Sequence, residues 1–69
     1  MKNYFGHNIK YLRQKNNMTQ TDLGELLHLT HQAISNYEKG KRYCDIDIII
    51  SVSEIFEISI DELLKKKLD

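Results

Sequence analysis

The chain has 69 residues, one cysteine and no proline, and its ten basic and ten acidic side chains give a formal net charge of zero. A chain of this length makes one domain near the lower limit for a hydrophobic core without covalent staples, and we expect residues 1–69 to be that domain. The lone cysteine excludes an internal disulfide framework, no apolar run is long enough to cross a membrane, and the N-terminus lacks a signal-peptide pattern, which together favour a cytoplasmic protein.

The charges are distributed unevenly along the chain. Residues 1–16 contain four basic side chains and no acid, residues 39–42 add three more, and the segment from Asp45 to Glu62 contains no base. Zero net charge counts against a nonspecific nucleic-acid binder, whose affinity rests on an excess of basic groups. A locally basic surface still allows a specific one.

The first part of the chain predicts two amphipathic helices, over residues 4–16 and 20–27. Their inward-facing residues recur at spacings of three and four, and these are Phe5, Ile9 and Leu12, then Leu23, Leu26 and Leu27. Thr19 can cap the second helix, with Asp22 completing an approximate capping box. Gln20 lies in the first turn of that helix, where free backbone N–H groups and the helix dipole favour an anion such as phosphate.

A third helix is predicted over residues 31–39, between Thr30 as N-cap and Gly40 as the residue that ends it. The turn before it is only about three residues long, so the second and third helices meet at a steep angle, and His28 can adopt the positive φ that such turns commonly require. The inward face contains Ala33, Ile34 and Tyr37, and the outward face His31, Gln32, Ser35 and Asn36. Those outward side chains are polar and largely uncharged, which suits hydrogen bonding to base edges.

Residues 45–58 fit two secondary structures. The alternation of Ile46, Ile48, Ile50 and Val52 is typical of a half-buried strand. A helix over residues 46–56, capped by Asp45, instead places on one face Ile46, Ile49, Val52, Ser53 and Phe56. We favour the helix, because the pattern continues through Phe56 without a turn signal and no second strand is available to pair with a lone one.

A fifth helix is predicted over residues 60–67, where Ser59 and Glu62 form a capping box. Ile48 and Ile55 remain after the core of the fourth helix is assigned, and they lie seven positions apart. Single exposed apolar residues are normal. Two in register indicate a self-association stripe, so we expect a homodimer built on the fourth and fifth helices. The alternative is that a separate C-terminal domain carries the dimer contacts.

Three blocks of the sequence resemble one protein family. They are M-T-Q-T-D-L at residues 18–23, I-S-N-Y-E-K-G-K-R at residues 34–42 and S-I-D-E-L-L at residues 59–64. Over residues 5–64 the chain resembles the Cro/C1-type (XRE-type) helix-turn-helix transcriptional regulators. The resemblance implies an all-α, compact five-helix, lambda-repressor-like DNA-binding domain. It also implies a sequence-specific regulator, in the simplest case a repressor, that acts as a homodimer on a palindromic operator.

The resemblance extends to individual positions. It implies base contacts by His31, Gln32 and Asn36 with Ser35 nearby, a phosphate contact by Gln20, and an ion pair between Arg13 and Glu38. That pair could also direct the Arg13 guanidinium at a phosphate. Directly after the third helix come Lys39, Lys41, Arg42 and Tyr43, which we expect to contact flanking phosphates. The chain departs from the family pattern at Gly24, His28 and Cys44, and we expect Gly24 to weaken the second helix by about 1 kcal/mol.

Other functions have less support. The sequence contains no catalytic constellation, so we expect no enzyme. His28, His31 and Cys44 lack the spacing of a zinc site, so we expect no metal and no cofactor. The remaining alternative is a protein-interaction module, such as an antitoxin whose main partner is another protein.

Overall fold

A computed structural model describes residues 3–42 and 46–69 of the chain. Within these ranges the chain forms five helices and no strand: α1 Phe5–Lys15, α2 Gln20–Leu27, α3 His31–Glu38, α4 Ile46–Phe56 and α5 Ile60–Lys65. The all-α, five-helix prediction is confirmed, and the strand interpretation is wrong for residues 46–58, the part of that segment that the structure describes. The ends of α2 and α4 are as predicted, whereas α1, α3 and α5 are one or two residues shorter at one or both ends.

The hydrophobic core draws on all five helices. Its buried members are Phe5, Ile9, Leu12, Leu23, Leu27, Ile34, Tyr37, Val52 and Leu63. Two residues predicted to face inward do not, since Leu26 is 53% exposed and Ile46 is 59% exposed. Leu23 and Leu27, one turn apart, occupy the buried ridge of α2 and leave Leu26 to one side. Ile46 is the first residue of α4, and it lies at the edge of the small hydrophobic core, where its side chain stays in contact with solvent.

Four helices end in the same local geometry. One or two residues after the end of each of the helices α1 to α4, a residue has a positive φ, and these residues are Asn17, His28, Gly40 and Glu57. The next N–H then donates to a carbonyl five residues earlier, as in Met18 to Arg13 (2.9 Å), Leu29 to Gly24 (2.8 Å), Lys41 to Asn36 (3.0 Å) and Ile58 to Ser53 (3.1 Å). This is the Schellman arrangement, which satisfies carbonyls that the helix leaves free. The positive φ predicted for His28 is confirmed, at 59°.

Two glycines allow α3 and the turn before it to approach their neighbours closely. A Cβ on Gly6 would overlap the carbonyl oxygen of Tyr37, and one on Gly24 would lie 2.5 Å from the carbonyl oxygen of Leu29. Gly24 therefore does more than weaken α2, because in this backbone it makes room for the turn that leads into α3. The sequence offered no signal for the role of Gly6.

A buried amide joins α1 to the end of α5. Asn8 is fully buried, and its Nδ2 donates to the carbonyls of Leu63 (2.7 Å) and Lys66 (2.6 Å). Its Oδ1 accepts from the N–H of Leu68 at 3.0 Å. One side chain thus satisfies the backbone groups that the end of a helix would otherwise leave unpaired inside the protein.

Candidate nucleic-acid interface

Helices α2 and α3 are each capped by a threonine. The Thr19 hydroxyl accepts from the Asp22 N–H at 3.0 Å, while the Thr19 N–H donates to the Asp22 carboxylate at 2.8 Å, so the predicted capping box is present. Two hydrogen bonds with Thr19 lower the pKa of Asp22. The larger effect comes from the Thr19 backbone N–H and the smaller one from the Thr19 side chain. The Thr30 hydroxyl accepts from the Ala33 N–H at 3.1 Å. Both helices therefore begin at residues that the sequence itself specifies.

One carboxylate holds α1, α2 and α3 together. The two oxygens of Glu38 accept from Nε (2.7 Å) and Nη2 (3.0 Å) of Arg13, and Nε2 of Gln20 donates to the same carboxylate at 3.1 Å. The remaining Arg13 nitrogen, Nη1, donates to the Met18 carbonyl at 2.9 Å. We call these four residues the Glu38 network. This bidentate ion pair between guanidinium and carboxylate depends strongly on geometry. It therefore helps to fix the relative orientation of the three helices.

Burial decides what the members of the Glu38 network can do. The Arg13 and Glu38 side chains are 10% and 5% exposed, respectively. The ion pair that the resemblance implied is thus a buried clamp. The same burial counts against the predicted phosphate contact of Arg13, because each of its three nitrogens already donates within the protein. Gln20 is half-buried at the start of α2, and one amide N–H of its two is committed to Glu38.

The outer side of α3 carries the four residues predicted to contact bases. His31 and Gln32 are exposed, and Ser35 and Asn36 are half-buried. On the opposite side Ile34 and Tyr37 are buried, and the Tyr37 ring meets the Phe5 ring edge to face at 6.3 Å. Nε2 of Gln32 donates to Oδ1 of Asn36 at 3.4 Å. The predicted base-contact residues therefore share one accessible polar face on a helix whose other face is locked into the core.

The basic segment after α3 stays accessible. Lys39, Lys41 and Arg42 are exposed. The Schellman turn at Gly40 brings the chain back over the end of α3, and the Arg42 guanidinium carbon lies 5.6 Å from the centre of the Tyr37 ring. Such a cation–π contact orients the side chain without neutralising it. Tyr43, the fourth residue predicted here, lies outside the described residues, as do Cys44 and the predicted N-cap Asp45.

The residues predicted to form a dimer stripe occupy a different environment from the one expected. Ile48 and Ile55 are half-buried and pack against the hydrophobic core, so the premise that they are left over from it is wrong. The sequence pattern misassigned them because the packing of other helices, including α2 and α5, against α4 decides which of its residues are covered. In the described part of the chain, the exposed isoleucines of α4 are Ile46 and Ile50, at 59% and 40%.

Metal sites and membrane spans have no support in the described residues. Within residues 3–42 and 46–69, no group of three or more His, Cys, Asp or Glu side chains lies close enough together to hold a metal ion. No helix in these ranges is long and apolar enough to cross a membrane.

The arrangement of α2, the short turn and α3 corresponds to a known family. The helix-turn-helix family model matches residues 9–63. The chain belongs to the helix-turn-helix family. Among curated relatives of this helix-turn-helix chain, the transcriptional activator BcrR of Enterococcus faecalis is 38% identical over 60 residues, covering 87% of this chain and 29% of BcrR. Across this and two Bacillus subtilis relatives, the chain spans between 29% and 53% of their length.

Solved structures of other helix-turn-helix proteins share the fold. A transcriptional regulator from Listeria innocua superposes with a TM-score of 0.87 at 26% identity, covering 93% of this chain and 60% of that one. The P22 c2 repressor, solved with a synthetic operator, superposes with a TM-score of 0.80 at 25% identity, covering 91% and 94%. These likenesses confirm the lambda-repressor-like fold class. They also agree with an assignment to regulators of transcription, which are not a class of enzymes.

Proposed function

We propose that this chain binds operator DNA in a sequence-specific manner and regulates transcription by inserting α3 into the major groove. The observation that carries the proposal is the outer face of α3, where His31, Gln32, Ser35 and Asn36 are accessible on a helix anchored to α1 and α2 through Glu38. Amide, hydroxyl and imidazole groups match the donor and acceptor pattern of base edges. A helix held by neighbouring helices can present that pattern without losing much conformational entropy on binding.

The phosphate contacts of the proposed complex lie on both sides of that face. Lys41 and Arg42 follow α3 directly, with Lys39 at its C-cap and Tyr43 after them in sequence. On the other side, the N-terminus of α2 offers free backbone N–H groups and the second amide N–H of Gln20. Such contacts position the protein on the duplex, and the base contacts then specify the sequence. We assign Arg13 to holding the helices, because its guanidinium is buried and each of its three nitrogens donates a hydrogen bond inside the protein.

We further propose that two copies of the chain act on a palindromic operator, with their α3 helices about 34 Å apart. The similarity to the P22 c2 repressor, whose structure was solved with an operator, supports DNA as the partner and repression as the effect. The activator BcrR is also among the relatives. Measuring the expression of a reporter gene placed downstream of the selected site would distinguish repression from activation. Such a regulator would work in the cytoplasm and needs no cofactor.

Selection from a pool of random DNA duplexes tests the proposal directly. We expect the protein to enrich one sequence with two-fold symmetry, and to bind it about 1,000-fold or more tightly than random duplex at physiological salt. Removing Lys41 or Arg42 should lower the salt dependence of binding by about one unit of log–log slope for each phosphate that the variant no longer neutralises. Failure to enrich any sequence would contradict the proposal and favour a protein partner, as expected of an antitoxin.

A further inference from the structure

The Arg42 side chain is exposed and yet has a defined neighbour. Its guanidinium carbon lies 5.6 Å from the centre of the Tyr37 ring, within the distance at which an aromatic ring attracts a cation. In the described part of the chain, neither of the other exposed cations of this segment, Lys39 and Lys41, lies over a ring. Of these three cations, Arg42 is therefore the one that the fold holds in place.

The Tyr37 ring is a fixed platform for this contact. The residue is 4% exposed, and its ring meets the Phe5 ring edge to face, with centroids 6.3 Å apart. The backbone that leads from the ring to Arg42 is held as well, because the Gly40 N–H donates to the Tyr37 carbonyl at 3.1 Å. The guanidinium thus rests on a ring that belongs to the hydrophobic core.

The contact leaves the hydrogen-bond donors of Arg42 available. A ring attracts the positive charge through its π-electrons and takes up none of the five N–H groups of a guanidinium. Within residues 3–42 and 46–69, the Arg42 side chain donates no hydrogen bond and forms no ion pair. The buried Arg13, by contrast, donates from each of its three nitrogens inside the protein. Arg42 is therefore both held and free to bind an anion.

Holding a long side chain before binding lowers the entropic cost of the contact that it makes. A freely rotating arginine loses rotamer freedom when a ligand fixes it, and one that already rests on a ring loses less. We propose that the Tyr37 ring positions the Arg42 guanidinium for a phosphate of the duplex. The inference rests on the proposed function, since it requires Arg42 to contact DNA. It makes Tyr37 a positioning residue, which contributes to affinity through Arg42.

Two variants at position 37 separate the ring from the rest of the side chain. Tyr37→Phe and Tyr37→Leu both lose the hydroxyl group, and only Tyr37→Phe keeps a ring. Each is made with Arg42 present and with Arg42→Gln, and circular dichroism shows whether each form is folded. Fluorescence anisotropy then measures the affinity of each form for the duplex that the wild type selects. With Arg42 present, Tyr37→Leu should bind about two- to fivefold more weakly than Tyr37→Phe.

The Arg42→Gln background distinguishes positioning from a general effect on the fold. If the ring acts through Arg42, Tyr37→Phe and Tyr37→Leu bind equally well once the guanidinium is gone. A loss caused only by poorer packing of α3 would persist in that background. Equal affinities with Arg42 present, or a difference of the same size with Arg42→Gln, would overturn the inference and leave the proposed function standing.

Proton NMR of the wild type gives a second measurement, which also decides the question if Tyr37→Leu does not fold. The magnetic field of the ring current should shift the side-chain resonances of Arg42 upfield, with those of Lys41 as the control. The shift should persist in Tyr37→Phe and after the selected duplex is added. Unshifted Arg42 resonances, or a shift that disappears on binding, would overturn the inference alone. A wild type that enriches no sequence would overturn the proposed function and the inference with it.

Discussion

Replacing Arg13 with methionine should destabilise the domain far more than the loss of a surface ion pair does. The guanidinium donates to both oxygens of Glu38 and to the Met18 carbonyl, and the two charged side chains are 10% and 5% exposed. In Arg13→Met the carboxylate stays buried with Gln20 as its remaining donor. Removing one partner of a buried pair costs about 3–5 kcal/mol, against about 0–1 kcal/mol for an exposed pair.

This loss is large compared with the expected stability of the chain. At roughly 0.05–0.15 kcal/mol per residue, a domain of 69 residues has a free energy of unfolding of about 3–10 kcal/mol. Urea denaturation followed by far-UV circular dichroism measures the change, and with a slope of about 1 kcal/mol per molar urea the midpoint should fall by about 3 M or more. Glu38→Gln should also be strongly destabilising, because it leaves the buried Arg13 guanidinium without its counter-charge and places an amide N–H group where Glu38 accepted a hydrogen bond.

The double variant separates the energy of the pair from the penalty of a lone buried charge. Because replacing a buried pair with apolar residues is often neutral, Arg13→Met with Glu38→Met should lie within about 1–2 kcal/mol of the wild type, well above the single Arg13→Met. A loss below about 1 kcal/mol in Arg13→Met would refute this reasoning. It would show that the pair is solvated in solution and does not clamp the helices.

Two further predictions concern the backbone and pH. Gly6→Ala should destabilise the domain by at least about 2 kcal/mol, because the added Cβ overlaps the Tyr37 carbonyl. Gly40→Ala should lower the stability by only about 1 kcal/mol, because the space around Gly40 is open and only its φ of 73° is unfavourable for alanine. Similar midpoints in urea for both variants would contradict the predicted overlap. The pKa of Asp22 is lowered from 3.8 by its hydrogen bonds with Thr19, so the ionised carboxylate stabilises the fold above pH 3.8 and this contribution disappears as the pH falls through the lowered pKa. The stability difference between the wild type and Asp22→Asn should therefore be present at neutral pH and vanish in strong acid, and a difference that does not change with pH would rule the carboxylate out as its source.

Much of the helical layout could be predicted from local sequence. Thr19, Thr30 and Ser59 mark the N-termini of α2, α3 and α5, because a side-chain oxygen next to a free backbone N–H acts within a few residues. The positive φ at His28 also belongs to a local turn. The outer face of α3 followed from helical periodicity alone. Because these features depend on groups close together in the chain, the sequence is sufficient to locate them.

Features that depend on distant parts of the chain could not be read in the same way. Helical periodicity placed Ile46 inside and left Ile48 and Ile55 outside, but in the structure Ile46 is exposed and the other two pack against the core. Nothing near Asn8 in sequence indicates that it serves the end of α5.

The Glu38 network shows most clearly the difference between features set by local sequence and features set by tertiary contacts. The family resemblance implied that Arg13 and Glu38 pair, and it also offered Arg13 and Gln20 to phosphate. The packed structure favours the clamp for Arg13, because each nitrogen of its buried guanidinium donates to an acceptor inside the protein, where an unpaired charge would be far more costly than in water. The sequence by itself therefore determines where the helices lie and which face of α3 is polar. The tertiary structure decides which polar side chains remain free to meet a ligand, since that depends on burial by residues far away in the chain.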